Sequence, residues 1–422
     1  MQYQKLERKK QLIVIGGGAS GMVASIEAAR TGAHVTLLEK ENRVGRKLLA
    51  TGNGRCNFAN TQATPRDYHG DNAELIQSVL KAVHVDEVLS FFELLGITPK
   101  VEQDGKVYPY SDQGSNVLDV LRYEMEQLGI RVLTDHRVNA VQKTEKRFVV
   151  KTDNGGLFNA DSVILATGGK AGSQFGADDS GYLLAQELGH TLITPFPALV
   201  QMKLNAGWLK TLKGVKWQGA ASVISGGVCI RREPGELLFT DYGISGPPIL
   251  QLTRSVNETG HRQLELWIHL LPDWTADEIL DNLMMRFHVN PEKPAETCLL
   301  GLFHKRMIPV ILREAGFQEL QLPARLVTAP VIKSLASVCE NWRIPINGTL
   351  SWKQAQVTAG GINAYEINPD SMESALVKGL YLTGEIMDVD GDCGGFNLYW
   401  AWATGMIAGR HAAVTGRELP DA

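Results

Sequence analysis

The chain has 422 residues, more than one hydrophobic core usually supports, so two or three domains are expected. A composition of 44% hydrophobic and 21% charged residues, with a formal net charge of −4, is that of a globular protein. The charge argues against a broadly basic surface that coats nucleic acid and leaves a local basic patch open. The five scattered cysteines contain no Cys-x-x-Cys pair, which disfavours a disulfide framework or a zinc cluster.

The hydrophobic segments are short. No apolar run reaches the length of a membrane span, and the first apolar run, residues 12–15, is too short for a signal-peptide core. We therefore expect a cytoplasmic protein with no membrane partner.

The first forty residues predict a strand–helix–strand unit. Residues 12–15 are a continuous apolar run typical of a buried parallel strand, and three glycines follow it. Residues 19–30 form a predicted helix rich in small residues, and residues 34–39 form the next strand.

Glycines and turn residues divide the following segment. Predicted helices at 85–95, 117–128 and 182–188 are each followed directly by a glycine, which is a helix C-terminus signal. Strands are predicted at 137–143, 147–152, 156–160 and 162–169 because β-branched and aromatic residues alternate with turn residues there.

The pattern of predicted secondary structure changes at about residue 191 and changes back near residue 346. Residues 191–270 contain proline turns and short strand-like runs, whereas 274–342 have helical patterns, clearest at 277–287 and 308–315. Residues 379–384 and 396–410 then regain a strand–glycine–helix pattern. The sequence predicts an α/β fold: a doubly wound Rossmann-type domain from residues 1–190 and 346–422, with an inserted β-rich domain (191–273) and an inserted helical domain (274–345).

The glycine pattern after the first strand is the strongest motif. Gly16, Gly18 and Gly21 form Gly-x-Gly-x-x-Gly between strand and helix, an arrangement that brings backbone N–H groups to a pyrophosphate. Glu39 ends the second strand, where a carboxylate accepts hydrogen bonds from adenosine ribose hydroxyls. An acid at this position disfavours the 2′-phosphate of NADP.

A cationic loop follows the second strand at residues 45–57. Arg46, Lys47 and Arg55 alternate with glycines and asparagines, which favours phosphate neutralisation and positioning of the flavin half of a cofactor. The alternative is an ordinary solvated basic loop, the usual role of charge runs.

The C-terminal glycines predict the other half of the site. Asp388 follows a strand and a glycine, so its carboxylate is a candidate for ribityl hydroxyls. Residues 394–397 open a helix whose N-terminus would stabilise negative charge on a flavin's N1–C2=O edge. Asp388, Asp390 and Asp392 lack the Glu that completes an EF-hand loop, so we predict no metal site.

The remaining chemistry-bearing residues give weaker signals. Cys56 has no partner cysteine, and Cys393 lies beside the C-terminal glycines with nothing to set its pKa, so packing is the favoured role for both. Ser245 lacks the Gly-x-Ser-x-Gly elbow of a hydrolase. No side chain is identified as a catalytic residue. There is also no second Gly-x-Gly-x-x-Gly unit, so NAD(P)H would dock transiently against the flavin.

The whole chain resembles the BaiN/YhiN-type NAD(P)/FAD-dependent oxidoreductases of the glutathione-reductase-like superfamily. The matching segments are 16–39, 45–57, 165–168, 239–247, 358–361 and 384–404. The resemblance implies FAD with the 16–21 glycines on its pyrophosphate, Glu39 on the ribose, Val138 near the adenine and residues 385–397 along the ribityl chain and isoalloxazine. It also implies that inserted domains cover the flavin.

The motifs and the resemblance together define a predicted cofactor-binding set. Its members are Gly16, Gly18, Ala19, Ser20, Gly21, Glu39, Lys40, Arg46, Lys47, Thr51, Gly52, Val138, Thr167, Gly168, Gly384, Glu385, Asp388, Gly395, Phe396 and Asn397.

The resemblance fixes the cofactor better than the substrate. It implies an FAD-dependent oxidoreductase that reduces an activated carbon–carbon double bond, with NAD(P)H as a transient electron donor. The alternatives are reduction of a uridine to dihydrouridine in large-subunit ribosomal RNA, oxidation of a small amine, and a non-catalytic flavin-loaded RNA-binding protein. The expected partner is thus a small molecule or an RNA base, no DNA is expected, and the oligomeric state is left open.

Overall fold

A computed structural model describes residues 9–260 and 263–414. The chain forms two compact units. The larger unit contains the residues up to Phe196 and those from Val357 onward, and the smaller unit is Pro197–Gln356.

The N-terminal segment, up to Ala198, holds twelve strands and five α-helices within the described residues. The strands are β1 (Gln11–Ile15), β2 (His34–Leu38), β3 (Ala59–Asn60), β4 (Tyr68–His69), β5 (Pro99–Val101), β6 (Lys106–Pro109), β7 (Arg131–Leu133), β8 (Val138–Lys143), β9 (Phe148–Thr152), β10 (Leu157–Ala160), β11 (Ser162–Leu165) and β12 (Leu192–Ala198). The helices are α1 (Ala19–Arg30), α2 (Ala73–Ala82), α3 (Val85–Leu94), α4 (Gly114–Gln127) and α5 (Ser180–Glu187).

The smaller unit and the C-terminal segment hold the remaining elements. The smaller unit contains β13 (Met202–Leu204), α6 (Leu209–Leu212), β14 (Lys216–Ser225), β15 (Val228–Phe239), β16 (Gly243–Ser245), α7 (Pro247–Glu258), β17 (Leu264–His269), α8 (Ala276–Val289), α9 (Ala295–Cys298), α10 (Ile308–Glu314), α11 (Ala329–Glu340) and β18 (Trp342–Thr349). The C-terminal segment contains β19 (Val357–Ile362), β20 (Leu380–Leu382), β21 (Asp390–Gly391) and α12 (Phe396–Ala413).

A five-stranded parallel sheet with strand order β20-β11-β1-β2-β7 forms the centre of the larger unit. Its middle strands are apolar along their length because both faces are covered, as parallel sheets require. The outermost pairing joins the two chain ends, since Val163 of β11 lies opposite Leu380 of β20. The predicted fold class is confirmed: the Rossmann-type domain is built from both ends of the chain.

Helix α12 packs closely along α1 and fastens the C-terminal segment to the first helix. A side chain at Gly405 would lie 2.6 Å from the carbonyl oxygen of Ser20, and one at Gly409 would lie 2.4 Å from that of Ala24. Since both distances are too short for a Cβ atom, the two glycines are what allow the helices to approach.

The predicted helix ends agree with the structure to within a few residues. The glycines that follow α3, α4 and α5, namely Gly96, Gly129 and Gly189, all have positive φ. A left-handed residue after a helix satisfies its last carbonyl groups and stops it.

The smaller unit is a closed six-stranded barrel with strand order β13-β16-β15-β14-β17-β18. Its own core contains buried barrel residues such as Leu237 and Leu266, together with Leu283 and Leu335 from helices α8 and α11. The strands and helices of the insertion therefore share one hydrophobic core.

Two features of this unit differ from what the sequence predicts. Helix α7 lies in the stretch that reads as turns and strands, because two prolines at its first turn resemble a turn but also start a helix well. Strand β18 crosses residue 345, where the sequence ended the insertion. The compact unit runs from 197 to 356, and the division into separate β-rich and helical domains stays a prediction.

Candidate functional site

The first glycine turn closes tightly against the neighbouring strand end. Gly16 has a φ of 105°, and a Cβ there would lie 2.4 Å from the carbonyl oxygen of Ala166. A Cβ at Gly21 would lie 2.0 Å from the carbonyl oxygen of Gly16. These two glycines are thus required by packing of the protein against itself.

Gly18 differs from both, because a Cβ there would meet no atom within 4 Å. It is the N-cap of α1, and no side chain caps the helix. Ala19 and Ser20 form the first turn behind it, which contains no acidic residue. The N-terminus of α1 is therefore uncapped and has open space beside Gly18, as an anion-binding helix N-terminus requires.

Glu39 lies directly after β2 and beside this turn. Its Oε2 accepts a hydrogen bond from the Gly17 N–H at 2.7 Å, and its Oε1 accepts one from the Glu41 N–H at 2.9 Å. Burial raises the pKa of the Glu39 carboxyl, and the backbone hydrogen bond from Gly17 and the charges of Lys40 and Arg46 oppose this effect. Since each carboxylate oxygen has two lone pairs, both can still accept a hydroxyl.

The predicted cations of this region are all ion-paired. Lys40 lies 2.6 Å from Asp178, Arg46 pairs with Glu41, and Lys47 Nζ lies 2.7 Å from Glu385 Oε2. These cations therefore hold loops in place. They would act on a phosphate only through the summed electrostatic field of the site.

A polar cavity of about 410 Å³ lies at the end of β2. Its lining residues are Lys40, Glu41, Asn42, Arg43, Arg46 and Asp135. Val138 is connected to this region indirectly: its neighbour Arg137 pairs with Asp178 at 2.6 Å, the same carboxylate that holds Lys40.

The loop after β2 is drawn back onto the glycine turn. The Gly45 N–H donates to the Gly17 carbonyl at 2.9 Å, and the Cys56 N–H donates to the Thr51 carbonyl at 3.0 Å. Gly52 and Cys56 both have positive φ, which is unusual for cysteine and occurs where surrounding structure imposes it.

The loop ends against the N-terminus of α12. Asn57 Oδ1 is buried there without a hydrogen-bond partner in the described part of the chain. It would lie 2.8 Å from a Cβ at Gly395, the N-cap of α12, which has no capping side chain. Asn397 in the first turn of the helix closes the preceding loop, accepting from the Gly391 N–H at 2.8 Å and donating to its carbonyl at 2.7 Å.

Glu385 joins three segments of the site. In addition to Lys47, its Oε1 accepts a hydrogen bond from the Thr358 N–H at 2.8 Å. Thr358 Oγ1 in turn accepts from the Lys170 and Ala171 N–H groups. Thr358 is absent from the predicted set, although it opens the 358–361 segment that contributes to the family resemblance.

Other members of the predicted set have structural contacts. Gly384 donates its N–H to Thr404 Oγ1 at 3.0 Å, and Thr167 packs against Gly181. Asp388 is buried, and its N–H donates to the Ile362 carbonyl at 2.9 Å. Phe396 is buried in the first turn of α12. Gly168 has a φ of 70° with open space beside it.

The two cysteines of the region are held as thiols. Burial raises the pKa of Cys56 to about 12 and also raises the pKa of Cys393. Neither is a thiolate at neutral pH, which favours the packing role. No group of three or more possible metal ligands occurs within residues 9–260 and 263–414.

Together these features fit FAD. An adenine dinucleotide would supply partners for several groups of this site. They are the two uncapped helix N-termini, with open space at Gly18, the Glu39 carboxylate and the unpartnered Asn57 Oδ1. The links from Gly17 to Gly45, from Lys47 to Glu385 and from Asn57 to Gly395 bring the predicted N-terminal and C-terminal residues together. No helix in the described ranges is long and apolar enough to cross a membrane.

Comparison with known proteins agrees with this assignment. The family model described as the HI0933-like protein Rossmann domain matches residues 10–411. The 3-dehydro-bile acid delta(4,6)-reductase of Clostridium scindens is 39% identical over 404 residues, which cover 95% of this chain and 98% of the relative. The ribosomal RNA dihydrouridine synthases of Haemophilus influenzae and Escherichia coli K12 are each 30% identical, cover 93% of this chain, and are themselves covered to 96% and 95%. The resemblance found in the sequence motifs is confirmed.

Proposed function

The chain belongs to the HI0933-like Rossmann-domain family and is an FAD-dependent oxidoreductase; on that premise we propose that it reduces a carbon–carbon double bond conjugated to a carbonyl group, with NAD(P)H as electron donor. The observation that carries the proposal is the 39% identity to the bile acid reductase over nearly the full length of both chains. The proposed substrate class is therefore a 3-dehydro-bile acid or a similar polycyclic enone.

The residues of the site have distinct tasks in this reaction. FAD, when bound, supplies the hydride chemistry. The N-terminus of α1, with Gly18 at its cap, binds the diphosphate, and Glu39 accepts the ribose hydroxyls. The N-terminus of α12, with Gly395 at its cap, would supply positive partial charge to the flavin half of the cofactor.

The proposal of NAD(P)H as a transiently bound electron donor follows from the number of dinucleotide-binding motifs in the sequence. The sequence has one Gly-x-Gly-x-x-Gly turn, and the protein packing and acid around it suit FAD, so NAD(P)H would reduce the protein by transient docking. NADH or NADPH should therefore reduce the bound flavin, which bleaches its absorbance, and the oxidised nucleotide should then dissociate.

An anaerobic assay tests both assignments. Purified holoprotein is mixed with NADH or NADPH and a 3-dehydro-bile acid carrying 4,6 double bonds, while flavin absorbance and product mass are followed. We expect flavin bleaching by a pyridine nucleotide, reoxidation by the steroid, and a product heavier by two hydrogens per reduced bond. A bleached flavin that leaves the steroid unchanged would exclude the substrate class, and a flavin that neither nucleotide bleaches would exclude the donor.

A second candidate is reduction of a uridine in ribosomal RNA, favoured by the two dihydrouridine synthases among the relatives. Dihydrouridine in large-subunit RNA from a gene-deletion strain decides this case: unchanged levels exclude it. Oxidation of a small amine stays a prediction, and rapid bleaching by an amine followed by oxygen-dependent reoxidation would favour it over the reductase.

A further inference from the structure

Strand β6 carries a tyrosine to the edge of the candidate site. Val107 on this strand pairs with Ala59, whose carbonyl oxygen would lie 2.3 Å from a Cβ at Gly395, the N-cap of α12. Val107 is fully buried, and since neighbouring residues of a strand face opposite sides, Tyr108 points away from that core. It is half-buried and lies against the cationic loop of residues 45–57.

The ring of Tyr108 is held between two parts of that loop. The guanidinium carbon of Arg55 lies 3.9 Å from the ring centroid, a cation–π contact. On the loop itself, a Cβ at Gly52 would lie 3.3 Å from Tyr108 Cε1. The ring therefore directly adjoins Gly52, a member of the predicted cofactor-binding set.

A closed ring of four ion pairs fixes Arg55 over the tyrosine. Arg55 Nη2 lies 2.6 Å from Glu102 and 2.5 Å from Asp112. Lys100 Nζ completes the ring at 3.1 Å from Glu102 and 2.8 Å from Asp112. Hydrogen bonds from the two cations lower the pKa of both carboxyls, so the network is intact at neutral pH. A bidentate guanidinium with two anchors cannot easily turn away from the ring.

The hydroxyl group of Tyr108 differs from the charged groups of Arg55, Lys100, Glu102 and Asp112, which are all ion-paired. Its Oη forms no hydrogen bond within the described ranges of the chain. Burial raises the pKa of Tyr108, and Arg55 opposes this effect. The charges of Glu102 and Asp112 add to it, as does Cys393 when its thiol is ionised. The phenol is thus protonated at neutral pH and able to give its proton away.

We propose that Tyr108 is the proton donor of the reduction and that Arg55 is the positioning residue that orients it. The inference rests on the proposed function. As a hydride reaches the carbon β to the carbonyl, the electron pair of the double bond moves toward the α-carbon and the carbonyl oxygen. Tyr108 Oη gives its proton to the α-carbon, and the phenolate regains a proton from water. One hydride and one proton are thereby added across the bond.

The test compares the wild-type holoenzyme with Tyr108→Phe and with Tyr110→Phe, a matched control because Tyr110 lies two residues away and is 71% exposed. The acceptor is the 3-dehydro-bile acid with 4,6 double bonds. In stopped-flow measurements Tyr108→Phe should slow flavin reoxidation by the steroid about 100-fold, as loss of a general acid does. Flavin reduction by NAD(P)H, the FAD dissociation constant and the melting temperature should stay at wild-type values, and Tyr110→Phe should match wild type throughout.

The pH profile gives a readout that a structural role would not move. Wild-type reoxidation should fall at high pH as Tyr108 loses its proton, and Tyr108→Phe should lack this fall. Arg55→Gln removes the cation that lowers the pKa of Tyr108, so the fall should move to higher pH.

The outcomes separate the two claims. If wild type reduces the steroid and Tyr108→Phe does so equally fast, the proton-donor assignment is overturned and the proposed function stands. If wild type leaves the steroid unreduced, both fail. Should Tyr108→Phe lose its FAD, the Arg55→Gln profile decides, and an unshifted profile in a variant with normal FAD content overturns the inference.

Discussion

The two compact units differ in how strongly local sequence specifies them. The larger unit is built around glycines whose positions are set by backbone contact, as at Gly16 and Gly21. The smaller unit is a barrel closed by pairs distant in sequence, such as Met202 opposite Thr349. Their charge also differs: the smaller unit has 17 Lys and Arg against 14 Asp and Glu, and the rest of the chain has 25 against 32. A cofactor-binding motif can be recognised from a few residues, whereas a barrel requires the whole pattern of pairing.

The largest expected effects come from truncating matched core residues, Leu37→Ala in the larger unit and Leu266→Ala in the barrel, both fully buried. Each should lower the free energy of unfolding of its unit by about 2–5 kcal/mol through lost burial and a cavity. Leu37 lies on β2, the strand that directly precedes Glu39, so its loss should also weaken FAD binding. Leu266→Ala should leave the FAD dissociation constant unchanged. Chemical denaturation and FAD titration measure these values. Equal effects of the two variants on FAD affinity would remove the distinction between the units.

The glycine turn separates packing from ligand binding. Gly21→Ala places a Cβ against the Gly16 carbonyl and should destabilise the apoprotein by about 1–3 kcal/mol. Gly18→Ala meets nothing in the protein, so it should melt like wild type but bind FAD more weakly because the new methyl group occupies the approach of the diphosphate. Melting curves of the apoproteins check this contrast, which fails if Gly18→Ala is the less stable of the two.

Glu39→Gln should weaken FAD binding about tenfold, the loss expected when a charged acceptor of hydroxyl groups is neutralised. Titration of the apoprotein with FAD measures this change.

The same substitution, Glu39→Gln, should also change the pH dependence of apoprotein stability. Because burial raises the pKa of Glu39, the ionised group is less favourable in the folded than in the unfolded chain. Its contribution to stability therefore falls as pH rises from about 4, the ordinary value for glutamate, through the higher folded value. Denaturation curves across this range should show that fall in wild type and not in the variant.

The smallest effect is expected for the ion pairs. Lys47→Met breaks a partly buried pair with Glu385 inside the site and should weaken FAD binding by about 0.5–1 kcal/mol. Lys213→Met breaks an exposed pair with Asp241 in the smaller unit and is the control. Titration of both variants with FAD should give a change for Lys47→Met alone, and a matching change in Lys213→Met would assign the effect to net charge.

Much of the larger unit could be predicted because its signals are local. The buried strand at 12–15, the glycine turn and the acid at position 39 lie within one strand–helix–strand unit, and helix α1 has the predicted bounds. The family and the cofactor followed from these residues and from the C-terminal glycines.

The rest depends on contacts between distant residues. Helix α7 was missed because two prolines dominate its first turn, and the extent of β18 is set by pairing with β13 and β17. The ion pairs of Lys40, Arg46 and Lys47 were not visible, since their partners include Asp178 and Glu385. Tyr108 gave no signal at all, because nothing in its own segment indicates that Arg55 covers it.

The central claim is that both ends of the chain hold one FAD, the N-terminal glycine turn the ADP half and the α12 terminus the flavin half. Calorimetric titration of apoprotein with FAD and with ADP, in wild type, Gly18→Ala and Asn397→Ala, tests it most directly. We expect Gly18→Ala to weaken binding of both ligands at an unchanged melting temperature. Asn397→Ala, which also loses the hydrogen bonds to Gly391 that close the preceding loop, should weaken binding of FAD but not of ADP. Equal affinity of wild type and Asn397→Ala for FAD would contradict the claim.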